Sequence, residues 1–165
     1  MPIRPDPVAA ATPDARALAQ ALLAGARHAA LAVIDPESGA PGISRIALGL
    51  DPDGLPLTLI STLAPHTAAL RANPAAALMV GEPGPKGDPL THPRLMIRVR
   101  ASFADRAAPG YGRLRDHWLA THPKARLYID FTDFSLVTLT PLSALLNGGF
   151  GKAFRLTQDD LRPVQ

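Results

Sequence analysis

The run Ile60-Ser61-Thr62-Leu63-Ala64-Pro65-His66-Thr67 ends an apolar segment in two hydroxyls and places a proline where a helix can begin. The first turn of a helix leaves N–H groups without intrahelical acceptors, and the helix dipole favours negative charge beside them. The N–H groups of His66 and Thr67, with the hydroxyls of Ser61, Thr62 and Thr67, are therefore candidate donors to an anion such as phosphate. The same residues also suit a simpler role, in which one hydroxyl caps the helix. Arg45 interrupts an otherwise apolar segment on the face it shares with Ala47 and Gly49, small residues that leave room beside it. A guanidinium so placed needs an anion, and a bound ligand or a nearby carboxylate would serve equally.

Two further stretches carry candidate cations. Asn147 to Lys152 has three glycines around Phe150, which permit close backbone approach, and Lys152 could reach an anion; a plain glycine-rich hairpin is the alternative. The Gly- and Pro-rich segment from Gly81 to Pro93 contains Lys86 and Asp88 and reads as a solvated turn unless it closes over a ligand. Other chemistries are absent. No Gly-x-Gly-x-x-Gly stands between a strand and a helix, and Gly151-Lys152 is followed by Ala153 rather than the Ser or Thr of a phosphate loop. His117 and His122 lie five apart across the break at Pro123, so no metal site is expected. Without cysteine, thiolate catalysis and iron–sulfur chemistry are excluded.

The elements that must position these residues follow from periodicity. Thr12-Pro13 is an N-cap and N1 pair, and Ala15, Leu18, Ala19, Leu22 and Leu23 repeat at helical spacing up to Gly25. Ala29 to Ile34 and Ile43 to Leu50 form a hairpin across turn residues 35–42. Asp51-Pro52-Asp53-Gly54 turns the chain into a third strand, Leu57 to Thr62. If these last two strands pair through that turn, Arg45 comes to lie near Ser61 and Thr62. A short helix, Pro65 to Ala72, precedes a strand from Ala76 to Val80. In Leu95 to Phe103, apolar residues alternate with Arg94, Arg98 and Arg100, giving a core face and a solvated or interfacial basic face. A helix containing Leu114, Trp118 and Leu119 stops near Pro123, a helical turn covers Ala125 to Tyr128, and strands close the domain over 134–139 and 150–156. Hairpins this tight leave no space for crossover helices. The expected fold is mainly β, of the α+β class: an antiparallel sheet or small barrel with peripheral helices, a doubly wound parallel sheet being second.

The 165 residues are 47% apolar, enough for one domain with a core of its own, over 12–165, behind a flexible leader at 1–11. Seventeen basic residues against fourteen acidic ones give a net charge of +3 without basic runs, so no nucleic-acid partner is expected. No stretch reaches the ~18 apolar residues that span a membrane, and a cytoplasmic location is expected.

Four motifs occur in a fixed order: Ser44-Arg45-Ile46-Ala47-Leu48, Ser61 to Leu70, Gly87-Asp88-Pro89-Leu90-Thr91-His92-Pro93-Arg94-Leu95, and Leu146 to Ala153. Together they resemble the pyridoxamine 5′-phosphate oxidase-like split-barrel flavoproteins, in particular the branch grouped with haem-utilisation proteins, over about residues 15–160. The resemblance implies a six-stranded antiparallel split β-barrel and a homodimer binding flavin mononucleotide (FMN) between subunits, acting as an oxidoreductase on a small-molecule substrate. It matches Arg45 to the phosphate-binding arginine and gives Ile46, Ala47 and Leu48 backbone contacts to the flavin ring. Ile60 and Ser61 take the place of a Tyr-Thr pair, and His66 with Thr67 replaces an Arg-Lys pair, so Lys86, Arg94 or Lys152 would add charge at the phosphate. The Arg-x-His element of the true oxidases has no match near Asn147 to Phe154, which argues against pyridoxamine phosphate as substrate. A flavin or haem carrier without turnover is the alternative.

Overall fold

The computed structural model describes residues 6–162. Helix α1 (Pro13–Gly25) starts where expected: the Thr12 hydroxyl accepts the Ala15 N–H at 3.1 Å, Pro13 occupies the first turn, and Ala15, Ala19 and Leu23 are buried. Then come β2 (His28–Ile34), β3 (Pro41–Ala47), β4 (Gly49–Leu50), β5 (Pro56–Ser61), α2 (Pro65–Ala72), β6 (Ala75–Val80), β7 (Arg94–Phe103), α3 (Tyr111–Thr121), β8 (Phe134–Asn147) and β9 (Ala153–Thr157). A short β1 (Ala9–Ala10) precedes α1 and runs parallel to β9. Residues 1–5 of the expected leader lie outside the described residues. The rest of it is held by that pairing and by Arg155, whose guanidinium donates to Asp6 and to the Val8 carbonyl.

The nine strands of the described residues join one sheet, of order β1-β9-β8-β7-β6-β2-β3, with β5 pairing both β4 and β8. The expected count was six. Three short or added pieces make the difference: β1 and β4 have two residues each, and β9 extends the edge of β8. The long β8 uses one edge twice, pairing β5 over Phe134–Thr138 and β9 over Ser143–Asn147, while its other edge carries β7.

A second expectation fails here. The 51–54 turn, with Gly54 at φ +84°, joins β4 to β5 rather than the whole second strand to the third. At Leu48 the strand breaks: up to Ala47 it pairs β2, and from Gly49 it pairs β5. Between β3 and β5 there is no ladder, so the sheet is not closed by hydrogen bonds. Leu48 is fully buried and its N–H donates to the Arg27 carbonyl, which turns the chain inward at that point.

Inward residues of β2, β3, β6, β7, β8 and β9 pack with α1, α2 and Leu161 in the main core, which includes Leu31, Ile46, Leu78, Ile97, Val137 and Leu146. A smaller core lies between β5, the start of β8 and α3, built on Leu57, Leu59, Trp118, Leu119, Ile129 and Leu136. Among the described residues no helix is long and apolar enough to cross a membrane.

Candidate functional site

Alternation along β3 decides what each of its side chains can do. Ile46 is buried and Ser44 half-buried on the inner face, while Ile43, Arg45 and Ala47 point outward. Arg45 is thus exposed, not half-buried as its apolar surroundings in sequence suggested. Its cross-strand partner is Ala30, and among the described residues it has neither a hydrogen-bond nor an ion-pair partner. The expected pairing with Ser61 and Thr62 is replaced by the β2 ladder, because the strand changes partner at Leu48.

Ser44, on the opposite face, meets α2 instead: its hydroxyl lies 2.9 Å from His66 Nδ1. Among the described residues His66 Nε2 is buried without a hydrogen-bond partner, and burial pushes the imidazole below the ordinary histidine range. The ring thus bridges α2 and β3 through Ser44. Its N–H, in the first turn of α2, has no acceptor among the described residues, as a free helix start requires.

The hydroxyl set differs from the expected anion donors. Thr67 is 1% exposed and its hydroxyl donates to the Ser61 carbonyl, while its N–H donates to the Ala64 carbonyl at 2.9 Å. Both of its donors are engaged inside the protein, so Thr67 fastens the helix to the strand end. The Ser61 hydroxyl donates to Asp133 Oδ2 at 2.9 Å and accepts the Leu63 N–H. Thr62 remains exposed, with its N–H on the Asp133 carbonyl. A carboxylate at this corner opposes an anion, and neither Asp133 nor Ser44 was among the residues singled out in sequence. The alternation of β3 could have exposed Ser44; nothing local marks Asp133, which is brought in by the β5–β8 register.

The remaining candidates divide similarly. The Ala47 carbonyl accepts the Thr58 hydroxyl at 2.7 Å, Leu48 N–H is bound to Arg27, and the side chains of Ile46, Leu48 and Ile60 are core. Lys86 and Lys152 are exposed, on loops that meet where Gly149, at φ +120°, would place a Cβ 3.1 Å from the Thr91 carbonyl oxygen. Neither lysine is bonded to Arg45, Ser61 or His66. A cleft of about 780 Å³ opens elsewhere, between the 51–54 turn, His117, Gln158 and Arg162, and none of the candidate residues lines it.

What the structure does assemble is an open sheet face. Outward from β3 across β2, β6, β7 and β8 the register sets Arg45, Ala30, Met79, Met96 and Leu145 in one row, with Ala32 and Ala77 in the next. An arginine beside a floor of alanines and methionines can hold an anionic group while a flat ring lies on the apolar surface.

No family model matches the chain. Over 116 residues, 70% of its length, it is 32% identical to the chloroplastic non-canonical heme oxygenase HOZ of Arabidopsis thaliana, of which it spans 34%. A heme binding protein from Mycobacterium smegmatis is 25% identical and superposes with a TM-score of 0.79 over 96% of this chain and 61% of its own. A Listeria innocua protein assigned as a pyridoxamine 5′-phosphate oxidase shares the fold, with a TM-score of 0.63 at 17% identity over 81% of this chain and 98% of its own. The chain belongs to the pyridoxamine 5′-phosphate oxidase-like split-barrel family, on its haem-utilisation-related branch. A further solved chain is 45% identical, with a TM-score of 0.83 over 93% of this chain and 99% of its own. The two haem-related relatives of the family are longer: the chain spans about a third of one and about six tenths of the other.

Proposed function

We propose that this protein binds a flat cofactor with anionic arms on the open sheet face, haem first and FMN second, and that Arg45 holds one of the arms. The observation that carries the reading is Arg45 itself, an outward guanidinium beside Ala30 and Ala47 with no partner among the described residues. A haem propionate and a flavin phosphate make the same demand on it. Haem comes first because two relatives at 25% identity or more are a heme oxygenase and a heme binding protein. FMN comes second because its phosphate would meet Arg45 alone: the start of α2 packs on the opposite face of β3, through Ser44 and His66, and Asp133 stands beside Ser61 and Thr62.

When bound, either group supplies redox chemistry that these side chains lack. The chain's own part is to anchor, orient and shield. In the same proposal two copies of the chain meet on this face with the cofactor between them, and the FMN form acts as an oxidoreductase on a small molecule. Titration of the purified protein with haemin, FMN and riboflavin, followed by absorbance and flavin fluorescence, tests it. Haemin binding, or FMN binding much tighter than riboflavin binding, is expected, and Arg45→Ala weakens it by about 1.5–3 kcal/mol. Failure of both haemin and FMN to bind would remove the proposal.

A further inference from the structure

The open face carries an imidazole that the proposed function leaves unused. On β2 the buried Ala29, Leu31 and Val33 alternate with His28, Ala30 and Ala32, so His28 stands outward on the strand that also supplies the floor of the face. It pairs with Ala47, one step along from the Ala30–Arg45 pair. On its other side Met79 pairs with Ala30, so Gly81, two residues further on, comes level with His28 just past the end of that ladder. Gly81 has φ +101°, and a Cβ there would lie 2.5 Å from the Pro93 carbonyl oxygen, so this position stays bare. Flanked by Ala30, Ala47 and Gly81, the imidazole rises above its neighbours on the sheet.

The other four histidines are engaged elsewhere. His66 meets Ser44 on the opposite face of β3, His122 is stacked on Trp118, both nitrogens of His92 lie within hydrogen-bond distance of the backbone of Gly84 and Lys86, and His117 lines the cleft by the 51–54 turn. The His28 side chain is 43% exposed, and its Nδ1 stands 3.8 Å from a carboxylate oxygen of Glu82, beyond hydrogen-bond length. So open a pair adds little to stability. Its chemical effect is larger, because a carboxylate on the Nδ1 side favours the proton there and leaves the lone pair on Nε2. Such a nitrogen is a metal donor. His28 and Arg45 are diagonal neighbours across the β2–β3 ladder, roughly 7–8 Å apart at the backbone. That separation is close to the one between the centre of a porphyrin and its carboxylate arms.

We propose that His28 is the axial ligand to the iron of a haem held on this face, with Glu82 as the residue that orients its ring. The inference rests on the haem reading above and deepens it, since Arg45 takes an arm while His28 takes the metal. A flavin offers His28 nothing to bind, so the residue selects the metalloporphyrin of the two cofactors. Met79 also projects from this face and its thioether is a possible iron ligand. Among the described residues, however, Met79 has no partner comparable to Glu82 to orient it, and its place is the apolar floor.

Haemin added to the whole protein, to His28→Ala and to Met79→Leu, followed by reduction with dithionite and resonance Raman spectroscopy, tests this. The parent and Met79→Leu should show the iron–histidine stretch. His28→Ala should lack it and bind haemin at least tenfold more weakly, and added imidazole should restore the ligation. Iron-free protoporphyrin IX, which keeps the flat ring and the carboxylate arms, should bind the parent and His28→Ala equally. Glu82→Gln should raise the ferric/ferrous midpoint potential, since a less electron-rich imidazole favours ferrous iron; an unchanged potential would remove the part given to Glu82. A parent complex without the stretch, a stretch that survives in His28→Ala, or an affinity that falls in Met79→Leu and not in His28→Ala would overturn the inference. Its failure is distinct from that of the cofactor reading. Haemin that binds the parent and His28→Ala alike but Arg45→Ala weakly removes only the iron ligand, whereas haemin that binds none of them removes the haem reading and the ligand with it.

Discussion

Gly49 shows how closely a single residue can fix a corner of the molecule. A Cβ there would lie 3.1 Å from His122 Cε1 and 3.3 Å from Trp118 Cζ3, atoms of two rings stacked in parallel with centroids 3.8 Å apart. Trp118 is fully buried and cannot retreat. Gly49→Ala should therefore destabilise the fold by about 1–3 kcal/mol, read as a lower urea midpoint; an unchanged midpoint would show that the stack yields. His122, like His66, is held below the usual histidine range, mainly by burial, with backbone groups of Leu48, Trp118 and Arg27 working in the opposite direction. The unfolded chain then takes up protons first as pH falls. Stability is full above the unfolded-state value near 6.5 and declines below it, in a window above that in which the aspartates titrate. Urea midpoints between pH 7.5 and 5 should fall, and less steeply in His66→Gln and His122→Gln. Equal slopes in all three proteins would assign the acid sensitivity to other groups.

At the scale of elements, most boundaries could be read from sequence and the partners could not. Thr12-Pro13 and Pro65 announce α1 and α2 because caps and prolines act locally, and β7 alternates because one of its faces is core. The partner change at Leu48 is invisible locally, since β3 and β4 read as one apolar strand, and with it went the expected placing of Arg45 beside Ser61. The engagement of Thr67 and Ser61 was equally hidden, because it depends on how α2 and Asp133 dock. The segment before β8 has its own device. The Arg106 guanidinium donates to the carbonyls of Ile129, Asp130, Phe131 and Phe134, and Arg115 forks onto Asp130, whose carboxyl it holds below the usual range. Arg106→Ala should cost about 1.5–3 kcal/mol and speed amide exchange over 128–134, with Arg106→Lys recovering only part because an ammonium has no planar fork. Full recovery by lysine would mean that charge alone holds the loop.

For the molecule as a whole, two cores of unequal size share two strands, β5, with Ile60 in the main core and Leu57 and Leu59 in the smaller, and β8. Val137, Leu139, Ala144 and Leu146 of β8 belong to the main core, and Leu136 to the smaller one under α3. The smaller core has few residues and one helix for a lid, so it should open at lower free energy. Native-state hydrogen exchange should find Trp118 and Leu119 exchanging faster than Leu95, Ile97 and Val99. Equal protection would show one cooperative unit. The family and the sheet-dominated fold were within reach of the sequence because four ordered motifs carry them. The open face was not, because its rows run across strands and no motif along the chain spells them.

The double use of β8 also bears on how the chain is made. During synthesis from the N-terminus the strands β2, β3, β5, β6 and β7 emerge before β8, which pairs β7, β5 and β9. Until Asn147 has left the ribosome, β7 has only its β6 edge and β5 only the two-residue β4 to pair with. At ~5–20 residues per second, the nascent chain carries unsatisfied apolar strands for seconds. The fold is thus completed late, and the interval before it invites the attention of chaperones more than any later moment in the protein's life.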